Sequence, residues 1–128
     1  MAQSYVIAVV GGKGGVGKST FAVNYAIATA IDTKAKVALV DLDPKACGDI
    51  SMLLGTRPKR TLMELGSHEG KIDANGILSY LAPHASGIGF IPSVLDPEQV
   101  ATLDPNHVAK GLQHLMSVFN FIIVDLGS

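Results

Sequence analysis

The chain has 128 residues, of which 48% are hydrophobic, enough for one domain with a buried core. Ten basic residues against eleven acidic ones give a formal net charge of −1, so the overall charge does not indicate a nucleic-acid or anionic-membrane surface. The single cysteine, Cys47, cannot form an internal disulfide, and the sequence contains neither an apolar run long enough to span a bilayer nor a secretory signal. We therefore expect a cytoplasmic protein.

The N-terminal part of the chain predicts a strand, a glycine-rich loop and a helix. Residues 5–10 form an apolar run without polar alternation, which is typical of a strand buried on both faces of a parallel sheet. The loop that follows, residues 11–20, reads GGKGGVGKST. After the loop we expect a helix from Lys18 to about Ile31. Its side chains are small and apolar on nearly every face, so we expect the helix to pack closely on a sheet.

The loop matches the phosphate-loop pattern G-x-x-x-x-G-K-[ST] at Gly12, Gly17, Lys18 and Ser19. In this pattern backbone N–H groups and the helix dipole hold phosphates, the lysine reaches the terminal phosphates, and the hydroxyl ligates magnesium. We predict ATP and Mg²⁺ as cofactors. The predicted nucleotide-binding residues are Gly12, Lys13, Gly14, Gly15, Val16, Gly17, Lys18, Ser19 and Thr20.

The same loop also fits a second pattern, because Gly12, Gly14 and Gly17 read as the dinucleotide fingerprint G-x-G-x-x-G. Lys18 and Ser19 favour a triphosphate, since a pyrophosphate needs only backbone groups at the helix N-terminus. A Rossmann-type oxidoreductase, with a later aspartate on the ribose, stays open as the alternative.

A second apolar run, residues 36–40, predicts a strand that ends in Asp41 and Asp43. Ligands of open parallel sheets bind beyond the carboxyl ends of the strands, so we expect both carboxylates near the glycine loop. We predict that the two point in opposite directions. One would then face the metal, while the other would face the γ-phosphate and its attacking water.

The middle of the chain predicts short helices over residues 49–54, 61–65 and 74–81, with capping-box spacing at Thr61 and Glu64 and a cap at Asp73. The basic cluster Arg57, Lys59 and Arg60 is interpreted as a solvated turn around Pro58, and the four histidines as surface or structural residues. Eight side chains are predicted to face the core: Ile50, Leu53, Leu54, Leu62, Leu65, Ile77, Leu78 and Leu81.

The last part of the chain predicts a short strand at residues 87–91, a helical turn after Asp96, a longer helix after Asp104, and a buried strand at 121–124. Met116 is among the side chains expected on the apolar face of the longer helix. The final strand delivers Asp125, which we predict as a magnesium carboxylate.

The loop GKGGVGKS, with Lys13 early in it, resembles the deviant Walker A ATPases, the family of ParA, MinD and the nitrogenase iron protein. This resemblance implies a P-loop NTPase three-layer α/β sandwich with a mostly parallel sheet, and a homodimer formed on ATP binding in which Lys13 contacts the partner's nucleotide. It implies that Lys13, Lys18 and Asp43 are catalytic, with Asp43 orienting water. It further implies that Asp41 and the Walker B residue Asp125 join Ser19 at the magnesium.

Two later blocks, GDISMLLG and FIIVDLGS, are similar to the CpaE and TadZ branch of pilus-assembly and polar-localisation ATPases. This implies a protein partner in an assembly or positioning system and a location that is cytoplasmic, peripheral to the membrane or polar. Lys45 stands where partition proteins commonly have glutamine, which disfavours a plain DNA-partitioning role. A non-hydrolysing nucleotide-bound scaffold is the third hypothesis.

Residues 1–128 are expected to be the N-terminal part of a single P-loop ATPase domain, truncated after the Walker B strand. Adenine contacts and any membrane-binding or DNA-binding surface would then lie in the missing half. P-loop sheets usually place the Walker B strand between the phosphate-loop strand and the strand ending in Asp41. The phosphate-loop strand is therefore expected to be an exposed edge, and the chain to associate through it or to be poorly stable, with weak ATPase activity.

Overall fold

A computed structural model describes residues 3–10, 16–43 and 48–127 of the chain. The elements in chain order are β1 (Tyr5–Val10), α1 (Val16–Thr33), β2 (Val37–Asp41), α2 (Asp49–Leu54), α3 (Leu62–Gly66), α4 (Ala74–Leu78), β3 (Ala82–Pro83), β4 (Gly89–Pro92), a 3-10 helix (Pro97–Thr102), α5 (Pro105–Met116) and β5 (Phe121–Gly127). The predicted helices and strands are present with shifted ends. α1 begins earlier than predicted, α4 ends earlier, and β3 was not predicted at all.

The five strands form one sheet in the order β1-β5-β2-β4-β3. The pairs β1–β5, β5–β2 and β2–β4 are parallel, and the β3–β4 pair is antiparallel. β5 thus lies between β1 and β2, which confirms the predicted place of the last strand. Because these three strands run in the same direction, their carboxyl ends meet at one edge of the molecule.

Alternate side chains along β2 enter two cores, one on each face of the sheet. Ala38 and Val40 pack with side chains of α3, α4 and α5. Val37 and Leu39 pack with side chains of α1 and α2. All four side chains are fully buried, and burying one of this kind stabilises the fold by about 1.5–3 kcal/mol for the larger ones. Helices on both faces of a mostly parallel sheet confirm the predicted three-layer α/β fold.

Local signals in the sequence determine where several helices begin. Thr61 and Glu64 form the predicted capping box at the start of α3. Asp73 accepts a hydrogen bond from the Gly76 N–H at 2.7 Å, and Asp104 caps α5. Such caps satisfy backbone donors that have no partner inside the helix.

Three side chains are exposed where burial was expected: Leu53 and Leu78, predicted to face the core, and Met116, predicted on the apolar face of the longer helix. Each is the immediate neighbour of a buried residue, respectively Leu54, Ile77 and Leu115. Consecutive residues of an α-helix point about 100° apart. A short helix that buries one of them therefore turns the other towards solvent.

The two edge strands of the sheet differ in length and in exposure. β3 has two residues, ends in a proline and pairs antiparallel with β4. β1 has six residues, and its side chains Tyr5, Val6 and Val10 are 51%, 46% and 69% exposed. The predicted exposure of the phosphate-loop strand as an edge is therefore confirmed for this chain. None of the helices in the described ranges combines the length and apolarity that crossing a bilayer requires.

Candidate functional site

The carboxyl ends of β5 and β2 place two aspartates side by side. Asp41 and Asp125 are register partners, and the Leu42 N–H donates to the Asp125 backbone carbonyl at 2.8 Å. Their exposed fractions are only 5% and 0%. Because burial of two neighbouring carboxylates is unfavourable without compensating charge, this end of the sheet favours a bound cation.

Ser19, in the first turn of α1, reaches the same place. Its Oγ donates a hydrogen bond to Asp125 Oδ2 at 3.3 Å, and both residues are buried. β1 pairs with β5, and the start of α1, the next described element, lies beside the end of β5. The fold thus brings together the hydroxyl and the carboxylate that the sequence predicted as magnesium ligands.

The environment of Asp41 shifts the pKa of its carboxyl group. Burial raises the pKa of Asp41 to about 7, and the negative charges of Asp125, Asp43 and Asp49 also raise it. A hydrogen bond from the Asp43 N–H to Asp41 Oδ1, at 2.9 Å, acts in the opposite direction. A cation at this place would favour the charged form of Asp41.

Asp43 lies against a glycine that the sequence analysis did not identify. Gly127 has a φ of 83°, and its N–H donates to Asp125 Oδ1 at 3.2 Å. A Cβ atom on Gly127 would lie 2.7 Å from Asp43 Cγ, far inside van der Waals contact. The absence of a side chain at Gly127 therefore leaves the space that the Asp43 carboxylate occupies beside the end of β5. The sequence does show a glycine two positions after Asp125, the predicted magnesium carboxylate, and this spacing could have pointed to Gly127.

The prediction that Asp41 and Asp43 point in opposite directions is wrong. Residues two apart on an extended segment lie on the same side, because side chains alternate with a period of two. Both residues are buried, Asp43 adjoins Gly127, and both Asp43 and Asp125 raise the pKa of Asp41. Asp41, Asp43 and Asp125 thus form one carboxylate corner, the name used below for these three residues.

The oxygen atoms around the carboxylate corner suit a magnesium ion. Mg²⁺ takes oxygen ligands, usually one or two carboxylates completed by water and phosphate oxygens. Ser19 and Asp125 offer such atoms in contact with each other, and Asp41 is adjacent. In the described ranges no group of three His, Cys, Asp or Glu side chains could hold a metal alone. Water and a bound phosphate would therefore have to complete the shell.

A cavity of about 290 Å³ opens beside Ser19 and gives a ligand space next to the carboxylate corner. Asp49, Met52 and Leu53 of α2 also line it. Met52 is 83% exposed, so one wall of this cavity is an apolar surface open to solvent.

Most of the predicted phosphate loop lies outside the described residues. This holds for Gly12, Lys13, Gly14 and Gly15, and also for Lys45 and Cys47. The first three residues of α1 are Val16, Gly17 and Lys18, whose side chains are likewise outside the description, whereas Thr20 is half-buried in α1. The predicted contacts of Lys13 and Lys18 with nucleotide stay predictions.

The fold and the strand ends define a class of protein. A mostly parallel sheet in which a serine at the start of the first helix meets an aspartate at the end of the adjacent strand is the arrangement of P-loop nucleotide-binding domains. The chain belongs to the CobQ/CobB/MinD/ParA nucleotide-binding domain family, whose model matches residues 7–123.

Two individual proteins are similar to this chain in sequence. The chain is 35% identical to the antiactivator FleN of Pseudomonas aeruginosa over 123 residues, which cover 94% of the chain and 41% of FleN. It is 42% identical to the iron-sulfur cluster carrier protein of Escherichia coli over 72 residues, 56% of the chain and 19% of the carrier.

A solved structure extends the comparison to the fold. The ParA family ATPase from Chlorobium tepidum matches with a TM-score of 0.84 and 26% identity, over 98% of this chain and 52% of that one. The chain thus spans about half the length, or less, of these relatives.

Proposed function

We propose that this chain is the ATP-binding part of a magnesium-dependent ATPase that acts as a molecular switch. The observation that carries the proposal is the hydrogen bond from Ser19 Oγ, at the start of α1, to Asp125 Oδ2, near the end of β5. In phosphate-loop proteins a hydroxyl and a carboxylate in these positions hold one magnesium ion. The family match and the likeness to a ParA family ATPase support the same function.

Each chemical requirement of phosphoryl transfer has a candidate residue in this chain. The reaction depends mainly on positioning the phosphates, neutralising their charge and orienting the nucleophile. Lys18 and the loop amides would hold the β- and γ-phosphates, and Ser19, Asp125 and Asp41 would hold the magnesium, which would neutralise phosphate charge. Asp43 orients the water that takes the γ-phosphoryl group, giving ADP and phosphate.

The switch function requires a second subunit. We propose that ATP binding drives homodimerisation, with Lys13 contacting the nucleotide of the partner subunit, and that the dimer controls a protein partner. Met52 and Leu53 support such an interface, because they are large apolar side chains exposed beside the cavity at Ser19.

The narrower assignment to the CpaE and TadZ branch rests on the spacing of GDISMLLG and FIIVDLGS. A role in pilus or secretion assembly, and a cytoplasmic or polar location, are proposals at the same level. The assignment of residues 1–128 to the N-terminal part of a larger domain is supported by the coverage of 41% of FleN and 52% of the ParA family ATPase. Exposure of β1 at the sheet edge also supports it.

The structure argues against the alternative that the chain is a Rossmann-type oxidoreductase. A ribose needs an accessible carboxylate, whereas Asp41 and Asp43 are 5% and 8% exposed. Retention on immobilised NAD but not on ATP, without an effect of magnesium, would favour that alternative. A non-hydrolysing scaffold would bind ATP and dimerise, but it would release no phosphate in the steady state.

Sedimentation and phosphate release, measured with ATP and Mg²⁺, test the switch. We expect the parent to dimerise with ATP and to release phosphate slowly. Lys13→Ala should bind ATP like the parent, because its contact lies on the other subunit, but should neither dimerise nor turn over. Lys34→Ala, which removes an exposed lysine after α1, should behave like the parent. ATP-dependent dimerisation of Lys13→Ala equal to that of the parent would contradict the proposed dimer contact.

A further inference from the structure

A groove lies at the β3 edge of the sheet, opposite β1. It consists of two cavities of about 320 and 360 Å³ that share Thr56 and Arg57 in their walls. Lys59, Arg60 and Tyr80 line the first cavity, whereas Pro58, Pro92 and Leu95 line the second. We call the two cavities together the edge groove. It has a basic end and an apolar end, joined at Arg57.

At the basic end, Arg60 is paired with Glu64, whereas Arg57 and Lys59 have no ion-pair partner in the described ranges. Arg60 is fixed in place, because its Nε lies 3.2 Å from Glu64 Oε2 and its guanidinium lies 4.1 Å from the centre of the Tyr80 ring. Arg57 and Lys59 are exposed, and neither forms an ion pair with any residue in the described ranges. In a chain of net charge −1, this cluster is a local exception that attracts anionic groups.

Thr56 supplies a second, independent sign of a ligand. Its Oγ1 is buried and has no hydrogen-bond partner within the described part of the chain, although its backbone N–H donates to the Ser51 carbonyl at 3.1 Å. A buried hydroxyl without a partner is unfavourable. Because Thr56 lines both cavities and its hydroxyl has no hydrogen bond to lose, rotation about the Cα–Cβ bond would let the hydroxyl donate to an acceptor atom in the edge groove.

The shape and lining of the edge groove favour a peptide over a nucleic acid. Single-stranded nucleic acids bind through bases stacked on open aromatic rings, whereas Arg60 already covers a face of Tyr80. The apolar end, where Leu95 is 44% exposed, suits a hydrophobic side chain beside the charged one. An extended segment with acidic and apolar residues in succession fits both ends.

We propose that the edge groove binds an acidic peptide segment of a protein partner. A carboxylate of the segment lies between Arg57 and Lys59 and accepts a hydrogen bond from Thr56 Oγ1. A neighbouring apolar side chain packs against Leu95. The groove wall includes Pro92 of β4, the register partner of Asp41, so only β4 separates the bound segment from the strand that ends in the carboxylate corner. This site goes beyond ATP hydrolysis and does not depend on it.

Fluorescence anisotropy with a short labelled peptide that alternates glutamate and leucine tests the proposal. We expect saturable binding by the 128-residue chain that weakens as ionic strength rises. The double variant Arg57→Gln with Lys59→Gln should lose at least about tenfold in affinity. Lys34→Gln with Lys36→Gln removes the same charge from exposed residues elsewhere and should bind like the parent. A peptide with glutamine in place of glutamate should not bind.

Thr56→Val separates a binding role from a structural one. The change keeps the shape and removes a hydroxyl that has no partner, so the variant should unfold at the same denaturant concentration as the parent, or a higher one. Its affinity for the acidic peptide should nevertheless fall about threefold or more.

Three results would overturn the proposal. The first is equal peptide affinity for the parent and for the Arg57 and Lys59 double variant. The second is an equal loss in the Lys34 and Lys36 control, which would indicate attraction to overall charge alone. The third is a single-stranded oligonucleotide that binds more tightly than the peptide with the same dependence on Arg57 and Lys59, which would assign the edge groove to nucleic acid instead.

Discussion

The two ends of the strands β1, β5 and β2 differ in how their polar groups are satisfied. At the amino ends, Asn120 Oδ1 accepts from the Lys36 N–H at 3.1 Å, and the Asn120 N–H donates to the Lys36 carbonyl at 2.9 Å. The Tyr5 N–H donates to the Asn120 carbonyl at 2.8 Å, and Ser4 Oγ donates to the Phe119 carbonyl at 2.7 Å. These groups are neutral and find partners within the chain.

The carboxyl ends of the same strands carry buried acidic groups instead. The carboxylate corner holds three buried aspartates, and the neutral hydroxyl of Ser19 donates to one of them, Asp125. Burial raises the pKa of Asp41 to about 7, and the neighbouring negative charges act in the same direction. Parallel strand pairing alone does not require acidic groups at either end. A destabilising cluster of this kind is typical of a functional site, so the comparison locates function at the carboxyl ends.

The largest expected effect concerns pH and Asp41. Its pKa is about 7 in the fold against an ordinary 3.8, so the folded protein holds a proton that the unfolded chain has lost. Between about pH 4 and pH 7 this group makes the free energy of unfolding fall as pH rises, by up to about 4 kcal/mol. Asp41→Asn should remove that fall and be the more stable protein at pH 8. Urea unfolding of both proteins from pH 4 to pH 8 measures the difference, and parallel curves would contradict the buried-charge account.

Asp43→Ala should separate catalysis from binding at the carboxylate corner. We expect ATP affinity within a few-fold of the parent and turnover lowered on the order of a hundredfold, because orienting water matters in the transition state. Asp32→Ala, a change at an exposed position of α1, serves as the control and should leave both unchanged. If ATP affinity and turnover of Asp43→Ala fell equally, Asp43 would hold nucleotide or metal instead.

Gly127→Ala tests whether the approach of Asp43 depends on the absence of a side chain. The new Cβ would meet Asp43 Cγ at 2.7 Å and displace the carboxylate, so turnover should fall about tenfold while ATP still binds. Gly70 has the same φ of 83° but no atom within 4 Å of its would-be Cβ. Gly70→Ala therefore carries the same backbone strain without the contact, and its turnover should match the parent. Equal turnover in both variants would remove Gly127 from the site.

The smallest expected effect lies at the amino ends. Asn120→Ala deletes the side-chain acceptor of the Lys36 N–H, which should cost about 1 kcal/mol of unfolding free energy. ATP affinity and turnover should not change, because this end is structural. Urea unfolding measures the stability and phosphate release measures the turnover. A large loss of turnover without loss of stability would contradict a purely structural role for the amino ends.

The sequence predicted the features that depend on local pattern and strand direction. Apolar runs followed by aspartate placed Asp41 and Asp125 at one edge, and the capping residues Thr61, Asp73 and Asp104 began their helices as predicted. Ser19 and Asp125 are 106 positions apart, yet the strand-loop-helix order was enough to bring them together.

Features that depend on contacts between distant elements could not be predicted in this way. Gly66 and Gly111 sit where α3 and α5 touch, and a Cβ on Gly66 would overlap the His107 carbonyl. The contact of Gly127 with Asp43 is of the same kind. The basic cluster around Arg57 was interpreted as a solvated turn because no local pattern reveals a cavity formed with Tyr80.

The most direct test of a nucleotide site at the carboxyl ends is an equilibrium ATP titration of the parent, Lys18→Ala and Lys36→Ala. Lys36 lies at the amino ends and Lys18 at the start of α1, so the two variants remove the same charge from opposite ends of the sheet. We predict Mg²⁺-dependent binding by the parent, equal affinity for Lys36→Ala, and a loss of about a hundredfold for Lys18→Ala, which lacks the charge on the terminal phosphates. ATP affinity that is the same in all three proteins, or that is unaffected by removal of magnesium, would contradict a phosphate-loop site in this chain.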